Sequence, residues 1–278
     1  MEATKEAIKT MKLYHQVERV FNELEALGIK DNDPIKVEQL TPFDQYHYLG
    51  TDAVDESVHE IGLKKDMRVL EVGAGIGGPS RYLANSVGCH MTAMELQDDL
   101  NKTASALTKR CGLSDRVDHV CGDILEGAPN DEQFDALVSW LTFLHIPDRN
   151  RLYKECYKAL KPGAGMYVED YFASAPLTES EQKDLAVHVY CERVPSMDDY
   201  QIELTDTGFE NIRLVDMSKT WTEFVVDRLQ KFEAAHERNL NLHGVEIVEG
   251  LTEFYTTVVN LFKVGNLGGI KFTANKPS

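Results

Sequence analysis

The stretch that most constrains this chain runs from Val69 to Gly78. Val69, Leu70, Glu71 and Val72 make an apolar run that passes directly into Gly73, Ala74, Gly75, Ile76, Gly77 and Gly78, and a helical pattern follows at once. A strand that ends in glycines and turns into a helix brings bare backbone up to a ligand at a helix N-terminus. The string also satisfies G-x-G-x-x-G, which on its own equally permits a dinucleotide.

From Met67 onward, short β-branched or apolar runs alternate with helical segments, as in a parallel sheet with crossover helices. The strands predicted are 68–73, 89–95, 117–123, 134–140 and 165–172, with helices near 78–87, 98–111 and 148–160. Lys161, Pro162 and Gly163 stop the last of these helices. Two more strands are read near 211–218 and 268–276, separated by helices at about 221–240 and 245–263. The fold class is therefore α/β, a doubly wound, mostly parallel sheet of seven strands with a helical insertion between the last two.

Ahead of the core, apolar residues from Ala7 through Met11, Tyr14, Val17, Val20, Phe21 and Leu24 to Leu27 recur at helical spacing and predict an opening helix over 4–27. Pro34 and Pro42 bound a loop-like stretch, and a further helix is read from Asp52 to Ile61. This divides the chain into N-terminal helices and a lid segment (1–66), a ligand-binding core (67–172) and a remainder (173–278) whose insertion at about 221–263 is expected to cap a pocket.

With 278 residues and a formal charge of −17, the chain has no basic stripe of the kind that nucleic acid or anionic lipid requires. No apolar run approaches the roughly 20 residues that span a bilayer, and nothing resembles a signal peptide. Cys89, Cys111, Cys121, Cys156 and Cys191 are odd in number and lack a C-x-x-C pair, so neither a disulfide framework nor a zinc site is expected. A cytoplasmic protein without a metal fits these features. His188, His236 and His243 show no metal spacing either.

Three features beyond the glycines bear on the ligand. Glu71 stands two residues before Gly73, where a carboxylate suits a cationic amino-acid tail and repels a pyrophosphate. Glu95 ends the second strand and is placed to accept both hydroxyls of a ribose. Asp123 ends the third strand, positioned to accept from an adenine amino group while Ile124 packs on the ring. Strand four then delivers Trp140 and Leu141 beside the ligand, and all of these lie at the carboxyl ends of strands.

From the glycine loop through the Lys-Pro-Gly-Ala-Gly run, about residues 67–172, the sequence resembles the class I S-adenosylmethionine-dependent methyltransferases. The segment Asp44 to Gly50, the loop Phe143 to Asp148 and the helical additions are similar to those of sarcosine/dimethylglycine and phosphoethanolamine methyltransferases. The resemblance implies a Rossmann-like methyltransferase fold with S-adenosylmethionine as cofactor. It implies that Gly73 and Gly75 line the methionine part, Glu95 the ribose, and Asp123 with Ile124 the adenine, with Trp140 flanking. Glu71, Ala74, Leu96 and Gln97 complete the expected cofactor set.

Methyl transfer from a sulfonium mainly requires alignment of a nucleophile and exclusion of water. An amine acceptor, largely protonated near neutral pH, must give up a proton, and His145 in the loop after strand four is the candidate base. Tyr46 and Tyr48 resemble the lid tyrosines of the phosphobase enzymes and are candidate partners of His145. Tyr46, Tyr48, Trp140, Tyr171 and Phe172 offer faces to a quaternary ammonium product. A carboxylate-bearing acceptor would want a cation, for which Arg193 or Arg213 could serve.

Ser139, Trp140, Leu141 and Thr142 depart from the polar or acidic residues of the sarcosine type, which leaves the acceptor open. A small-molecule acceptor and a monomer or homodimer are expected. Methylation of oxygen, sulfur or carbon, a nicotinamide oxidoreductase and a non-catalytic module are the competing readings.

Overall fold

In the computed structural model the described residues are 17–129 and 133–278. Seven strands form one sheet: β1 (Arg68–Val72), β2 (His90–Glu95), β3 (Val117–Cys121), β4 (Phe134–Trp140), β5 (Leu160–Ala173), β6 (Glu210–Asp216) and β7 (Leu267–Asn275). Their spatial order is β3-β2-β1-β4-β5-β7-β6. The first five run parallel, with Val69 opposite both Met91 and Ala136, whereas β7 pairs antiparallel with β5 and β6. A parallel strand covered by helices on both faces reads as a continuous apolar run, and Val69 to Val72 are buried throughout.

Helices α1 (Glu18–Ala26), α2 (Val37–Leu40) and α3 (Thr51–Glu60) precede the sheet. The crossovers are α4 (Gly78–Ser86), α5 (Asp98–Arg110) and α6 (Arg149–Ala159), followed by α7 (Glu179–His188) and α8 (Met197–Thr207). The insertion between β6 and β7 is α9 (Ser218–Ala234), α10 (His236–His243) and α11 (Val245–Val264). Of the expected opening helix, the portion before residue 17, including Ala7, Met11 and Tyr14, lies outside the described residues. The loop expected between Pro34 and Pro42 carries the short helix α2, which buries Val37 and Leu40.

After β1 the chain winds outward through β2 and β3, then returns to place β4 on the other side of β1. This reversal opens a crevice at the carboxyl ends of β1 and β4, the place where open α/β sheets bind ligands. The insertion packs over the same end through a cluster that includes Tyr48, Leu144, Tyr171, Trp221, Val225, Val258 and Phe262. Its close seat depends on Gly269: a Cβ there would lie 2.1 Å from Cε3 of the fully buried Trp221.

Beneath the crevice, Arg149 of α6 is buried against Asp170 of β5 at 2.8 Å, and Tyr200 donates to the same carboxylate at 2.6 Å. A buried cation held by a carboxylate and a hydroxyl fixes α6 to the sheet that carries the site.

Candidate active site

The crevice contains two adjoining cavities. The first is lined by the glycine loop and strand ends, including Glu71, Gly73, Ala74, Gly75, Glu95, Leu96, Gln97, Asp123, Ile124, Trp140 and His145. Every residue expected at the cofactor therefore faces one space. The second, of about 820 Å³, lies under the insertion and is lined by Tyr48, Leu144, Tyr171, Phe224, Arg228, Phe254 and Tyr255 among others. Tyr46, His47 and Leu141 line both.

The glycine loop is held by the strands around it. Gly73 and Ala74 donate to the carbonyl of Met94 at 2.9 and 3.0 Å, and Thr142 Oγ1 donates to the Gly73 carbonyl at 3.3 Å. Gly75 has φ +54°, a left-handed conformation that side chains disfavour, and a Cβ built there meets nothing within 4 Å. Beside it the Glu95 carboxylate accepts from Gly75 N at 2.8 Å and from Gln97 N at 2.9 Å. Burial raises the Glu95 carboxyl above its usual range, and the two amides oppose that shift.

Glu71 is buried with one oxygen accepting from Ser80 Oγ of α4. Burial pushes its carboxyl up to about 8, against the opposing bond from Ser80. Asp123 accepts from Leu125 N at 2.9 Å, which fixes the short turn over Ile124–Glu126. Trp140 Nε1 and Gln97 Oε1 are buried without a hydrogen-bond partner, leaving one donor and one acceptor on this cavity.

Residues of the segment from Asp44 to Leu49 line both cavities. Arg81 Nη2 binds Asp44 Oδ2 at 2.9 Å with both side chains fully buried, while its Nη1 donates to the Ile76 carbonyl at 2.7 Å. Gly78 is required beneath it, because a Cβ would lie 2.3 Å from the Asp44 carbonyl oxygen. The same guanidinium thus ties this segment to the glycine loop. His47 then stacks on Trp140, with ring centroids 5.5 Å apart.

His145 Nδ1 lies 3.2 Å from the Tyr190 carbonyl. A carbonyl only accepts, so this nitrogen carries the proton and Nε2 carries the lone pair. Burial lowers the imidazole pKa, which the Tyr190 carbonyl opposes, so the ring is neutral near pH 7. Tyr48 faces the second cavity, where its hydroxyl bonds that of Tyr171. Leu141, with φ +51°, is one of the few non-glycine residues in left-handed backbone, and it stands where the two cavities meet.

Arg193 and Arg213 are not brought to either cavity: they pair with Glu203 and Glu60. The cations that reach the second cavity are Arg19, Arg228 and Lys231, which carry no motif in the sequence. His47 carries no motif either: its stacking on Trp140 has no local signal in the sequence, although it sits between Tyr46 and Tyr48. Among the described residues no group of His, Cys, Asp and Glu is arranged to hold a metal, and no helix is long and apolar enough to cross a membrane.

Residues 69–163 match a family model described as a methyltransferase domain. A glycine/sarcosine/dimethylglycine N-methyltransferase of Actinopolyspora halophila is 28% identical over 78% of this chain and 38% of its own length. A sterol 24-C-methyltransferase of Neurospora crassa is 34% identical over 46% of this chain and 33% of its own. The chain spans about two fifths of the length of the N-methyltransferases it matches first. In structure it is similar to a Haemonchus contortus phosphoethanolamine N-methyltransferase, with TM-score 0.80, 21% identity, and coverage of 98% of this chain and 59% of that one. Residues 69–163 thus match a methyltransferase domain, and the β3-β2-β1-β4-β5-β7-β6 sheet with its glycine loop has the Rossmann-like fold of the methyltransferases.

Proposed function

We propose that this protein transfers the methyl group of S-adenosylmethionine to the amine nitrogen of a small molecule, of the amino-acid or amino-alcohol kind. The observation that carries this reading is the pair of cavities that share Tyr46, His47 and Leu141. One is built for a nucleoside with an amino-acid tail, and the other for a separate acceptor.

The residues present fit the cofactor. Gly75 leaves open space where any side chain would intrude, Glu95 is braced at the end of β2, and Trp140 Nε1 and Gln97 Oε1 await partners. Glu95 would hold the ribose, Asp123 and Ile124 the adenine, and Glu71 with Gly73, Ala74 and Gly75 the methionine part. Leu96 and Trp140 would flank it. When bound, the cofactor supplies an activated methyl group on a sulfonium, so no further electrophile is required.

The chain's own task is then to orient the nucleophile, exclude water and accept a proton. The lid segment, clamped through Asp44 and Arg81, closes the mouth. His145, neutral and with Nε2 bearing the lone pair, would take the proton of the protonated amine and so free the nitrogen lone pair to displace the sulfur from the methyl group, the sulfur keeping the bonding pair. Tyr46 and Tyr48 bound the acceptor side. Support for nitrogen as the target comes from the N-methyltransferases among the relatives, against which stands the sterol 24-C-methyltransferase.

The test is incubation with labelled S-adenosylmethionine and a panel of amines, with NMR of the product to locate the new methyl group. N-methylated product supports the assignment, and methylation of oxygen, sulfur or carbon replaces it. Failure to bind S-adenosylhomocysteine while binding NAD would sink the reading altogether.

A further inference from the structure

We infer that Arg228 makes the second cavity an anion-binding subsite, which takes the carboxylate or phosphate of the acceptor while the nucleophilic end reaches the junction at Tyr46, His47 and Leu141. This rests on the acceptor cavity assigned above.

Helix α9 carries Arg228 into the cavity, where its guanidinium carbon lies 4.9 Å from the ring centroid of Tyr48 and 4.3 Å from that of Tyr255. Its Nε and Nη2 are buried without any hydrogen-bond partner, and among the described residues it makes no ion pair. The other charges on this cavity are accounted for differently. Glu23 is taken by Arg238 at 2.6 Å and His243 at 3.1 Å, Lys231 by Asp227 at 2.8 Å, and Asp52 is exposed. Arg19, the remaining cation, has a buried Nε without a partner and sits 5.8 Å from the Tyr46 ring.

A chain with 46 acidic and 29 basic residues thus leaves two arginines without a carboxylate at one cavity. Withholding an acceptor from buried guanidinium N–H groups is unfavourable unless something else supplies it. Ring contacts engage the flat face of a guanidinium and leave its edge donors free, and that edge matches a carboxylate or phosphate through paired hydrogen bonds. The Tyr48 ring already holds a cation, so a second positive charge at that face would be repelled. An ammonium is therefore directed to the junction and an anion to Arg228, which gives the acceptor two poles and one orientation.

Calorimetric titration of the full chain with sodium phosphate and with sodium acetate, with and without S-adenosylhomocysteine, decides the point. Saturable binding of phosphate identifies a phosphate ester as the natural pole, and of acetate a carboxylate. Arg228→Gln is expected to weaken the bound anion by at least about tenfold, with S-adenosylhomocysteine affinity unchanged. Arg228→Lys, which keeps the charge and loses the fork, serves where the Gln variant does not fold, and is expected to weaken phosphate or acetate measurably. No saturable binding of either anion to the wild type, or affinities equal to wild type in the folded variant, overturns the inference. Should S-adenosylhomocysteine itself not bind, the methyltransferase reading falls, and the anion titrations still report on Arg228.

Discussion

The imidazole of His47 lies on the indole of Trp140, centroids 5.5 Å apart and planes 29° from parallel. This contact joins the lid segment to the end of β4, and it does so at the wall shared by the two cavities. Burial lowers the His47 pKa to about 4, so the ring stays neutral and places no charge beside the cofactor cavity. Its Nδ1 donates to the Tyr48 carbonyl at 3.0 Å, which fixes the ring plane for stacking.

The glycine loop yields the most direct prediction. Gly75→Val places a branched side chain at φ +54° and into the space reserved for the ligand. Binding of S-adenosylhomocysteine should fall by at least ~100-fold, the equivalent of two 1.4 kcal/mol steps, as read by calorimetry. Glu95→Ala, which removes the acceptor for both Gly75 N and Gln97 N, should weaken binding similarly and lower the melting temperature. Unchanged affinity in both variants would move the ligand elsewhere on the sheet.

Glu71 makes binding and stability depend on pH in opposite senses. Its folded pKa of about 8 lies above the ordinary carboxylate value of 4.5. The stability that this neutral carboxyl contributes is full below pH 4.5 and declines as pH rises through 8. Binding of a cationic amino-acid tail favours the ionised form, so affinity should rise toward pH 8 and then level off, with proton release at pH 7. Calorimetry in buffers of different ionisation enthalpy measures that proton. Glu71→Gln should abolish both the proton release and the decline attributable to this group, and a wild type that releases none would refute the contact.

How far the sequence could be read depends on the range of the interaction. β1 to β4 and the glycine loop are written locally, as short apolar runs, and lie where expected, whereas β5 begins at Leu160, five residues before the expected start, and takes in Lys161, Pro162 and Gly163. Helix α7 buries only Glu181 and Leu185 and so shows no apolar stripe, yet Thr178 and Glu181 form a capping box that marks its start. Ser196 and Asp199 mark α8 in the same way. The lid clamp was illegible because Asp44 and Arg81 are brought together only when α4 docks under the segment that precedes the sheet. Arg228 and His47 were missed for the same reason: each is defined by rings contributed from distant elements.

Breaking the clamp should therefore cost stability and function together. Asp44→Ala leaves Arg81 buried without its carboxylate, and losing one partner of a buried pair typically costs about 3–5 kcal/mol. Chemical denaturation measures that loss. Arg81 also holds the Ile76 carbonyl at 2.7 Å, so S-adenosylhomocysteine affinity should drop in the same variant. A variant with wild-type stability would show that the pair does not fix the lid.

The proton acceptor is tested by His145→Ala. A positioned general base contributes roughly 10²–10⁴-fold, so turnover of the amine acceptor should fall by at least ~100-fold. His145 lines the cofactor cavity, so S-adenosylhomocysteine affinity is measured alongside, and lost turnover with affinity held assigns the ring to the proton rather than to cofactor binding. The pH profile adds a readout that a structural role would not move. Burial lowers the pKa of His145, so the acid limb of the wild-type rate should lie below the ordinary imidazole range. In the alanine variant that limb should vanish, and the residual rate should rise only with the fraction of acceptor already deprotonated in solution. An unaltered limb in the variant would assign the proton to another group, and Tyr48, whose hydroxyl is bonded to Tyr171, is the next to examine by Tyr48→Phe.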